Sequence, residues 1–264
     1  TMVSSSAASD VYKRQAVSRL LAGLRPDVVI HTASDMGSSE TMQQVIVEGA
    51  RNVASACASL GARLIHLSTD MVFDGEHGPY AESDPPAPLT AYGRAKTAAE
   101  QLVSRLQPDA AIVRTSLIYG FDPPDPRTRW VVDSILQQQP ITLFSDEVRC
   151  PVWVEQLASA LLELAAGVEG GLWHLAGPQC LSRYELGERL ALAYGLNPEG
   201  VTRGLSRESD LLRPRDCRLD VRKAQAWLKS PLWGVDAVLA HTTELSPLPI
   251  RHGSASAESP PGGS

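Results

Sequence analysis

Short apolar runs alternate with longer amphipathic segments along this chain, and that alternation restricts its fold more than any other feature. The apolar runs follow a proline or a glycine and end in small polar residues, as in PDVVIHTAS, ARLIHLSTD and GGLWHLAG. Between them, segments such as TMQQVIVEGARNVASACASLG carry apolar residues at helical spacing and end at a glycine. Strands alternating with helices predict an α/β fold, a doubly wound parallel sheet with helices on both faces.

The carboxyl ends of the first three predicted strands carry small, mostly hydroxylic residues. In open parallel sheets, ligands bind in the crevice outside these strand ends. We therefore expect a lined cleft, rather than a packed core, at three short stretches: Thr32-Ala33-Ser34, Ser68-Thr69-Asp70 and Thr115-Ser116.

Composition excludes several classes of function. The net charge is -6 over 264 residues, so the chain offers no basic face to nucleic acid or to an anionic membrane. No apolar run approaches the ~18–20 residues that a membrane span needs. The six histidines show no ligand spacing, and we expect no metal site. The four cysteines are far apart in the sequence and contain no Cys-x-x-Cys pair, which favours reduced thiols in a cytoplasmic protein.

One predicted helix carries a pair of candidate catalytic residues. The stretch LTAYGRAKTAAEQ places Tyr92 and Lys96 four residues apart, on one face of a helix. A free tyrosine has a pKa of about 10, and an adjacent ammonium would lower it by favouring the phenolate. We expect such a tyrosine to act as a general acid or base, with Thr69 or Ser68 hydrogen-bonding the same substrate oxygen. Alone, the spacing also fits two surface residues on an ordinary helix.

The segment RLIHLSTDMVFDGEHGPYAESDPPAPLTAYGRAKTAAE resembles the signature segment of the dTDP-4-dehydrorhamnose reductase family, a branch of the extended short-chain dehydrogenases/reductases. The resemblance continues through IVRTSLIYG, RCPVWVEQLASALLEL and RPRDCRLD, and covers roughly residues 16–240. It implies a Rossmann domain that binds NADPH or NADH, a small substrate-binding part, and reduction of a 4-keto nucleotide sugar.

The resemblance also implies roles for particular residues. Tyr92 would donate the proton, Lys96 would tune Tyr92 and hold the nicotinamide ribose, and Thr69 would orient the carbonyl. Further cofactor contacts are implied at Thr32, Ala33, Ser34 and Ser68, and substrate contacts at Thr69, Asp70, Arg149 and Arg213.

Composition and the family resemblance together predict the domain organisation. Residues 1–15 are expected to be a non-native or disordered leader, and residues 246–264 a Pro/Gly/Ser-rich disordered tail. Residues 16–180 would form a partial NAD(P)-binding domain, with residues 119–150 contributing to the substrate site. Residues 181–245 would be mainly substrate-binding.

Several features depart from the family pattern. The usual opening strand with a Gly-x-x-Gly-x-x-Gly turn, whose amides hold the cofactor pyrophosphate, is not found in the sequence. We expect the chain to lack about two βαβ units, to bind NADPH poorly, and to associate through an apolar sheet edge, a homodimer being one such assembly. Ile46 replaces a usual asparagine, and Met71 stands where many rhamnose-pathway members have tyrosine.

Two other functions remain open from the sequence. A nucleotide-sugar epimerase or dehydratase uses the same Tyr/Lys pair, although a dehydratase adds an Asp-Glu pair after the threonine, where this chain has Asp70-Met71. A non-catalytic regulatory subunit is the third candidate. The intact Tyr92 and Lys96 argue against it, but fold analogy alone does not exclude it.

Overall fold

The computed structural model describes residues 5–242 except residues 122 and 211, with side chains from residue 14 onward. The strands in this part of the chain are β1 (Val28–His31), β2 (Arg63–Thr69), β3 (Ala111–Thr115), β4 (Ile118–Tyr119), β5 (Ile141–Phe144), β6 (Val148–Arg149), β7 (Val152–Trp153), β8 (Gly171–Leu175), β9 (Leu181–Ser182) and β10 (Val201–Gly204).

The helices of the described residues are α1 (Ser5–Leu24), α2 (Ser39–Met42), α3 (Gly49–Leu60), α4 (Ala91–Leu106), α5 (Pro126–Leu136), α6 (Val154–Ala166), α7 (Arg183–Ala193), α8 (Arg222–Trp227) and α9 (Val235–His241). A π-helical segment, Gln43–Glu48, joins α2 to α3. Local sequence sets several ends: α3 stops at Gly61 in the left-handed region (φ 68°), and a capping box between Ser182 and Glu185 starts α7.

The main sheet is parallel, with strand order β1-β2-β3-β8, which confirms the predicted α/β fold with a Rossmann-like parallel sheet. The register pairs His31 with His66 and Thr69 with Thr115. Because the strands are parallel and in register, their carboxyl ends reach the same edge of the sheet. This edge is where the sequence predicted a cleft.

Alternate residues of the central strands face opposite layers of helices. Leu64 and Ile112 pack in one buried cluster with α3 and α4, and with Leu21 of α1. Ile65 and Val113 pack in a second cluster on the other face with α6 and α8. Period-2 alternation along a strand produces this result, and it explains why the strands read as continuous apolar runs.

A smaller layer beside the sheet comes from two separate stretches of chain. Strand β5 pairs with β10 in parallel, and β6 pairs with β9 in antiparallel orientation. This layer therefore combines residues 119–150 with residues 181–204. Helix α8 returns to the main sheet, where Ala224 joins the cluster around Trp173. Residues on both sides of the predicted boundary at residue 180 therefore contribute to the smaller layer, and residues on both sides also pack in the main sheet and its helices.

In the amino-terminal segment, for which a non-native or disordered leader was expected, residues 5–15 lie within α1. The segment has no proline and a single glycine before Leu24, and its alanines, arginines and leucines favour helix. The predicted tail at residues 246–264 lies outside the described residues. Of the described helices, none combines the length and apolarity needed to cross a membrane.

Candidate active site

Tyr92 lies in the first turn of α4, at the carboxyl edge of the sheet. Thr90 caps this helix by accepting a hydrogen bond from Gly93 N. A side chain at Gly93 would come within 2.2 Å of the Met71 carbonyl oxygen, so glycine lets the helix approach the end of β2 closely. The Tyr92 hydroxyl accepts a 3.4 Å hydrogen bond from Ser34 Oγ, and the Thr69 side chain hydrogen-bonds the same phenol. The structure thus brings together three of the predicted site residues.

Lys96 lies one turn further along α4 and is 2% exposed. Its Nζ donates a 3.1 Å hydrogen bond to the Leu67 carbonyl oxygen and lies 5.9 Å from the centre of the Tyr92 ring. Burial lowers the pKa of Lys96 to about 8, against the opposing effect of the Glu100 carboxylate. An ammonium has three N–H donors. The hydrogen bond to Leu67 uses one, which leaves donors to bind oxygens of a ligand.

The electrostatic effect expected at Tyr92 is not observed. The sequence led us to expect that Lys96 would lower the pKa of Tyr92, but the pKa is raised. Burial is the largest cause and the Asp70 carboxylate adds to it, whereas the hydrogen bonds with Ser34 and Thr69 oppose it. The expectation was wrong because desolvation of the phenolate outweighs its stabilisation. Tyr92 is therefore a neutral phenol near neutral pH, with a proton to donate.

Ser68 takes part in a buried network that the sequence analysis missed. Its Oγ donates a 2.5 Å hydrogen bond to Glu100 Oε1, and Arg114 donates to both oxygens of the same carboxylate, with Nη2 at 2.8 Å from Oε2. Glu100 follows Lys96 by four residues on α4, so Tyr92, Lys96 and Glu100 share one helix face. This continued spacing was the available signal for Glu100. The Ser68 hydroxyl points into the protein, which does not fit the predicted direct contact with cofactor.

Asp70 and Arg149, both predicted to bind substrate, lie beneath the cleft. Arg149 is 2% exposed and donates to the carbonyl oxygens of Pro214 at 2.8 Å and Arg215 at 3.0 Å. Its Nε lies 3.6 Å from Asp70 Oδ2, which also accepts a 2.7 Å hydrogen bond from Ser116. These contacts hold the loop around residue 214 against the end of β2. Both side chains are occupied by protein partners and support the site from below.

The loop after β1 contributes the exposed side of the cleft. Thr32, Ala33 and Ser34 are all exposed, as residues available to a ligand must be. Beneath them, His31 and His66 share a 3.1 Å contact between their Nδ1 atoms. Burial is the main cause that lowers the pKa of His31 to about 4 and that of His66 to about 3. Among the described residues, no group of three or more His, Cys, Asp or Glu side chains could hold a metal ion.

A cavity of about 220 Å³ opens beside the cleft, between α5, β5 and α7. Its walls include the aromatic rings of Trp130 and Phe144 and the guanidinium groups of Arg127, Arg183 and Arg213. The cavity lies beside this edge of the sheet, because Leu117 and Ile118 line it and directly follow Ser116. Arg127, another lining residue, is near enough for its charge to act on the Tyr92 phenol. Arg213 was predicted from the sequence, whereas Arg127 and Arg183 were not.

The charges in this cavity favour an anionic ligand. Glu147, 1% exposed, accepts ion pairs from Arg183 Nε at 3.3 Å and Arg213 Nη1 at 3.5 Å. Burial and the neighbouring charges of Arg127 and Arg149 lower the pKa of Arg183. One buried carboxylate thus faces several guanidinium groups. A phosphate would offset the remaining positive charge and accept bidentate hydrogen bonds from arginine.

Comparisons with known proteins identify similar sequences and structures. The Rattus norvegicus methionine adenosyltransferase 2 subunit beta is 28% identical over 240 residues, covering 80% of this chain and 68% of the relative. A crystal structure of dTDP-4-dehydrorhamnose reductase from Bacillus anthracis in complex with NADP superposes with a TM-score of 0.76 at 25% identity, covering 86% of this chain and 83% of that chain.

A reductase relative and a family model complete the comparison. The Mycobacterium tuberculosis (strain ATCC 25618 / H37Rv) dTDP-4-dehydrorhamnose reductase is 36% identical over 187 residues, which span 66% of this chain and 62% of that enzyme. The model of the RmlD substrate binding domain matches residues 1–243. The chain therefore belongs to the RmlD substrate binding domain family.

Proposed function

We propose that this chain reduces the 4-keto group of a nucleotide sugar, with hydride from NADH or NADPH. The observation that carries the proposal is the neutral phenol of Tyr92, hydrogen-bonded to Ser34 and Thr69 at the carboxyl edge of a parallel sheet and adjoining an arginine-lined cavity. A proton donor, an oxygen-binding hydroxyl and an anion-binding cavity are the groups that such a reduction requires.

The residues present fit the nicotinamide end of a cofactor. Lys96 has N–H donors available and is held by the Leu67 carbonyl, so it can bind ribose hydroxyls. Thr32, Ala33 and Ser34 form an exposed edge against which a planar ring can lie. When bound, the nicotinamide supplies the hydride.

Tyr92 performs the proton transfer in this proposal. The substrate carbonyl oxygen accepts hydrogen bonds from the hydroxyls of Tyr92 and Thr69, and it takes the phenolic proton as negative charge develops on it. The phenolate left on Tyr92 is stabilised by the ammonium of Lys96 one turn away. Burial keeps the pKa of Tyr92 raised, so the proton is present at neutral pH until the carbonyl oxygen becomes basic.

The cavity supplies substrate binding. We infer that Arg183 and Arg213 hold the phosphates of the nucleotide, and that the Trp130 and Phe144 rings contact the apolar faces of its base and sugar. The buried Glu147 fixes both arginines through ion pairs. Since the cavity adjoins Tyr92, a nucleotide held there presents its sugar to the proton donor.

The test is to mix the purified chain with a dTDP-4-keto-6-deoxy sugar and NADPH or NADH, and to follow loss of reduced nicotinamide by absorbance. Because the sequence predicts poor NADPH binding, the assay uses a large excess of cofactor, and we expect one 4-hydroxy sugar nucleotide to form for each reduced nicotinamide consumed. Conversion of the sugar without net cofactor consumption would instead indicate an epimerase of the same fold. A mock reaction with a sugar nucleotide lacking a keto group controls for background oxidation.

A regulatory subunit is the second candidate, favoured by the 28% identity to methionine adenosyltransferase 2 subunit beta. For a regulatory subunit, the same assay would show no turnover of any 4-keto sugar nucleotide, while a separate titration with NADPH would still show cofactor binding.

Sedimentation analysis of the purified chain tests the expected homodimer.

A further inference from the structure

Two cysteines that are distant in the sequence meet beside the candidate site. Cys150 directly follows β6 and Cys180 directly precedes β9, and these two strands pair with Arg149 opposite Leu181. The pairing brings the two Sγ atoms to 3.3 Å from each other. Both thiols are free.

The two thiols have unlike surroundings. Cys150 is 1% exposed, and its backbone is fixed by a 3.1 Å hydrogen bond from its N–H to Ser116 Oγ. Its Sγ accepts a hydrogen bond from Leu219 N at 3.4 Å. Cys180 is exposed and lies in the loop between β8 and β9.

The charge state differs between the partners as well. The hydrogen bond with Cys150 is the main cause that lowers the pKa of Cys180 to about 7, and the Arg218 guanidinium adds to this effect. The same hydrogen bond and burial raise the pKa of Cys150. An exposed thiolate next to a buried thiol is the arrangement of an attacking cysteine and a resolving cysteine.

We propose that Cys180 and Cys150 form a peroxide-sensitive pair that closes to an intramolecular disulfide. In the first step, the Cys180 thiolate attacks hydrogen peroxide: an S–O bond forms, the O–O bond breaks, and hydroxide leaves. Sulfur is oxidised to sulfenic acid and the peroxide is reduced. In the second step, Cys150 attacks the sulfenic sulfur; the S–S bond forms, the S–O bond breaks, and the thiol proton leaves with the hydroxyl as water.

Closure requires only a local movement. The Sγ atoms must approach by about 1.3 Å to reach the ordinary S–S bond length. Cys180 is free to make this movement because it is exposed in a loop, whereas Cys150 is fixed by Ser116. The bond would tie the start of α7, which carries Arg183, to the strand that carries Arg149. The inference does not depend on the proposed reaction.

The experiment treats the reduced 264-residue chain with a small excess of hydrogen peroxide and records its intact mass under non-reducing, denaturing conditions. We expect loss of two hydrogen atoms and of two of the four titratable thiols, reversible by dithiothreitol. Peptide mapping should recover Cys150 joined to Cys180. The Cys180→Ser variant should keep its three remaining thiols.

Two further variants make the test specific. Cys150→Ser should accumulate a Cys180 sulfenic acid that dimedone traps, because the resolving thiol is gone. Cys57→Ser removes a buried cysteine outside the pair and should close the disulfide as the unaltered chain does. The proposal is overturned if the unaltered chain retains all four thiols, forms disulfide-linked dimers, or gains oxygen at Cys180 without losing the Cys150 thiol.

Discussion

Lys96 Nζ lies 5.9 Å from the centre of the Tyr92 ring, one helical turn away, in a position where burial shifts the pKa values of both groups. The pKa of the phenol is raised and that of the ammonium is lowered to about 8. The pair thus holds a neutral acid next to a cation that loses its charge at mildly alkaline pH. This relationship determines how the proposed reductase should respond to mutation and to pH.

Replacing Tyr92 with phenylalanine should lower kcat by roughly 10²–10⁴-fold, because the variant keeps the ring and loses the transferable proton. Cofactor affinity, measured by fluorescence titration of NADPH, should change little. Tyr184→Phe is the matched control, since the Tyr184 hydroxyl bonds Glu188 on the same helix. If Tyr92→Phe turns over at the rate of the control, Tyr92 is not the proton donor.

The pH dependence of kcat/KM should show an alkaline limb near pH 8. Below this pH Lys96 is charged; as pH rises through its lowered pKa of about 8, the ammonium loses the proton that binds the ribose and stabilises the phenolate. Activity should therefore fall about tenfold per pH unit above the limb. In Lys96→Arg, which stays charged, the limb should move to higher pH. If the fall in kcat/KM stays near pH 8 in Lys96→Arg, it is caused by the titration of a group other than Lys96.

The placement of Tyr92 and Lys96 on one face of α4 could be predicted from sequence because a helix fixes the relation of residues four apart. The cleft edge at Thr32–Ser34 followed from where strands end. By contrast, Arg183 reaches the cavity through packing of α7 on β5, and two hydrogen bonds of the Arg149 guanidinium depend on carbonyls more than sixty residues away. Burial at Tyr92 is also a property of the assembled fold, so the direction of its pKa shift was not readable from spacing.

Arg213 provides a test of the cavity. Arg213→Ala should raise KM for the nucleotide sugar by roughly 10–100-fold, the effect of losing a hydrogen bond between charged groups, with kcat within a few-fold. KM for NADPH should not change. Arg189→Ala, which removes an arginine of α7 paired with Asp236, is the control. Equal KM values for the nucleotide sugar in the two variants would show that the nucleotide does not bind in this cavity.

The buried pair of Glu100 and Arg114 should matter greatly for stability. Their side chains are 6% and 1% exposed and are joined at 2.8 Å. Glu100→Ala leaves the guanidinium uncompensated and should lower the free energy of unfolding by about 3–5 kcal/mol, measured by urea denaturation. Arg222→Ala breaks an exposed pair with Asp220 and should cost less than about 1 kcal/mol. If Glu100→Ala lowers the free energy of unfolding by no more than Arg222→Ala does, burial does not make the Glu100–Arg114 pair important for stability.

The histidine pair predicts loss of stability in acid. The pKa values of His31 and His66 are lowered to about 4 and about 3 in the folded protein, below the ordinary value of 6.5. As pH falls through 6.5, the unfolded chain therefore binds these protons first, and unfolding is favoured. The two groups together should contribute a slope of up to about 2.7 kcal/mol per pH unit between roughly pH 6 and pH 4.

A comparison of variants shows which histidines cause the pH dependence of the free energy of unfolding. His66→Gln keeps a polar partner for His31 and removes one titrating group, so urea unfolding at several pH values should show its slope reduced by about 1.4 kcal/mol per pH unit. His77→Gln is the control, because the His77 side chain is 81% exposed and lies away from the pair. Carboxylates contribute equally to all three proteins and cancel in the comparison. If His66→Gln and His77→Gln have the same slope, the buried pair does not cause the acid sensitivity.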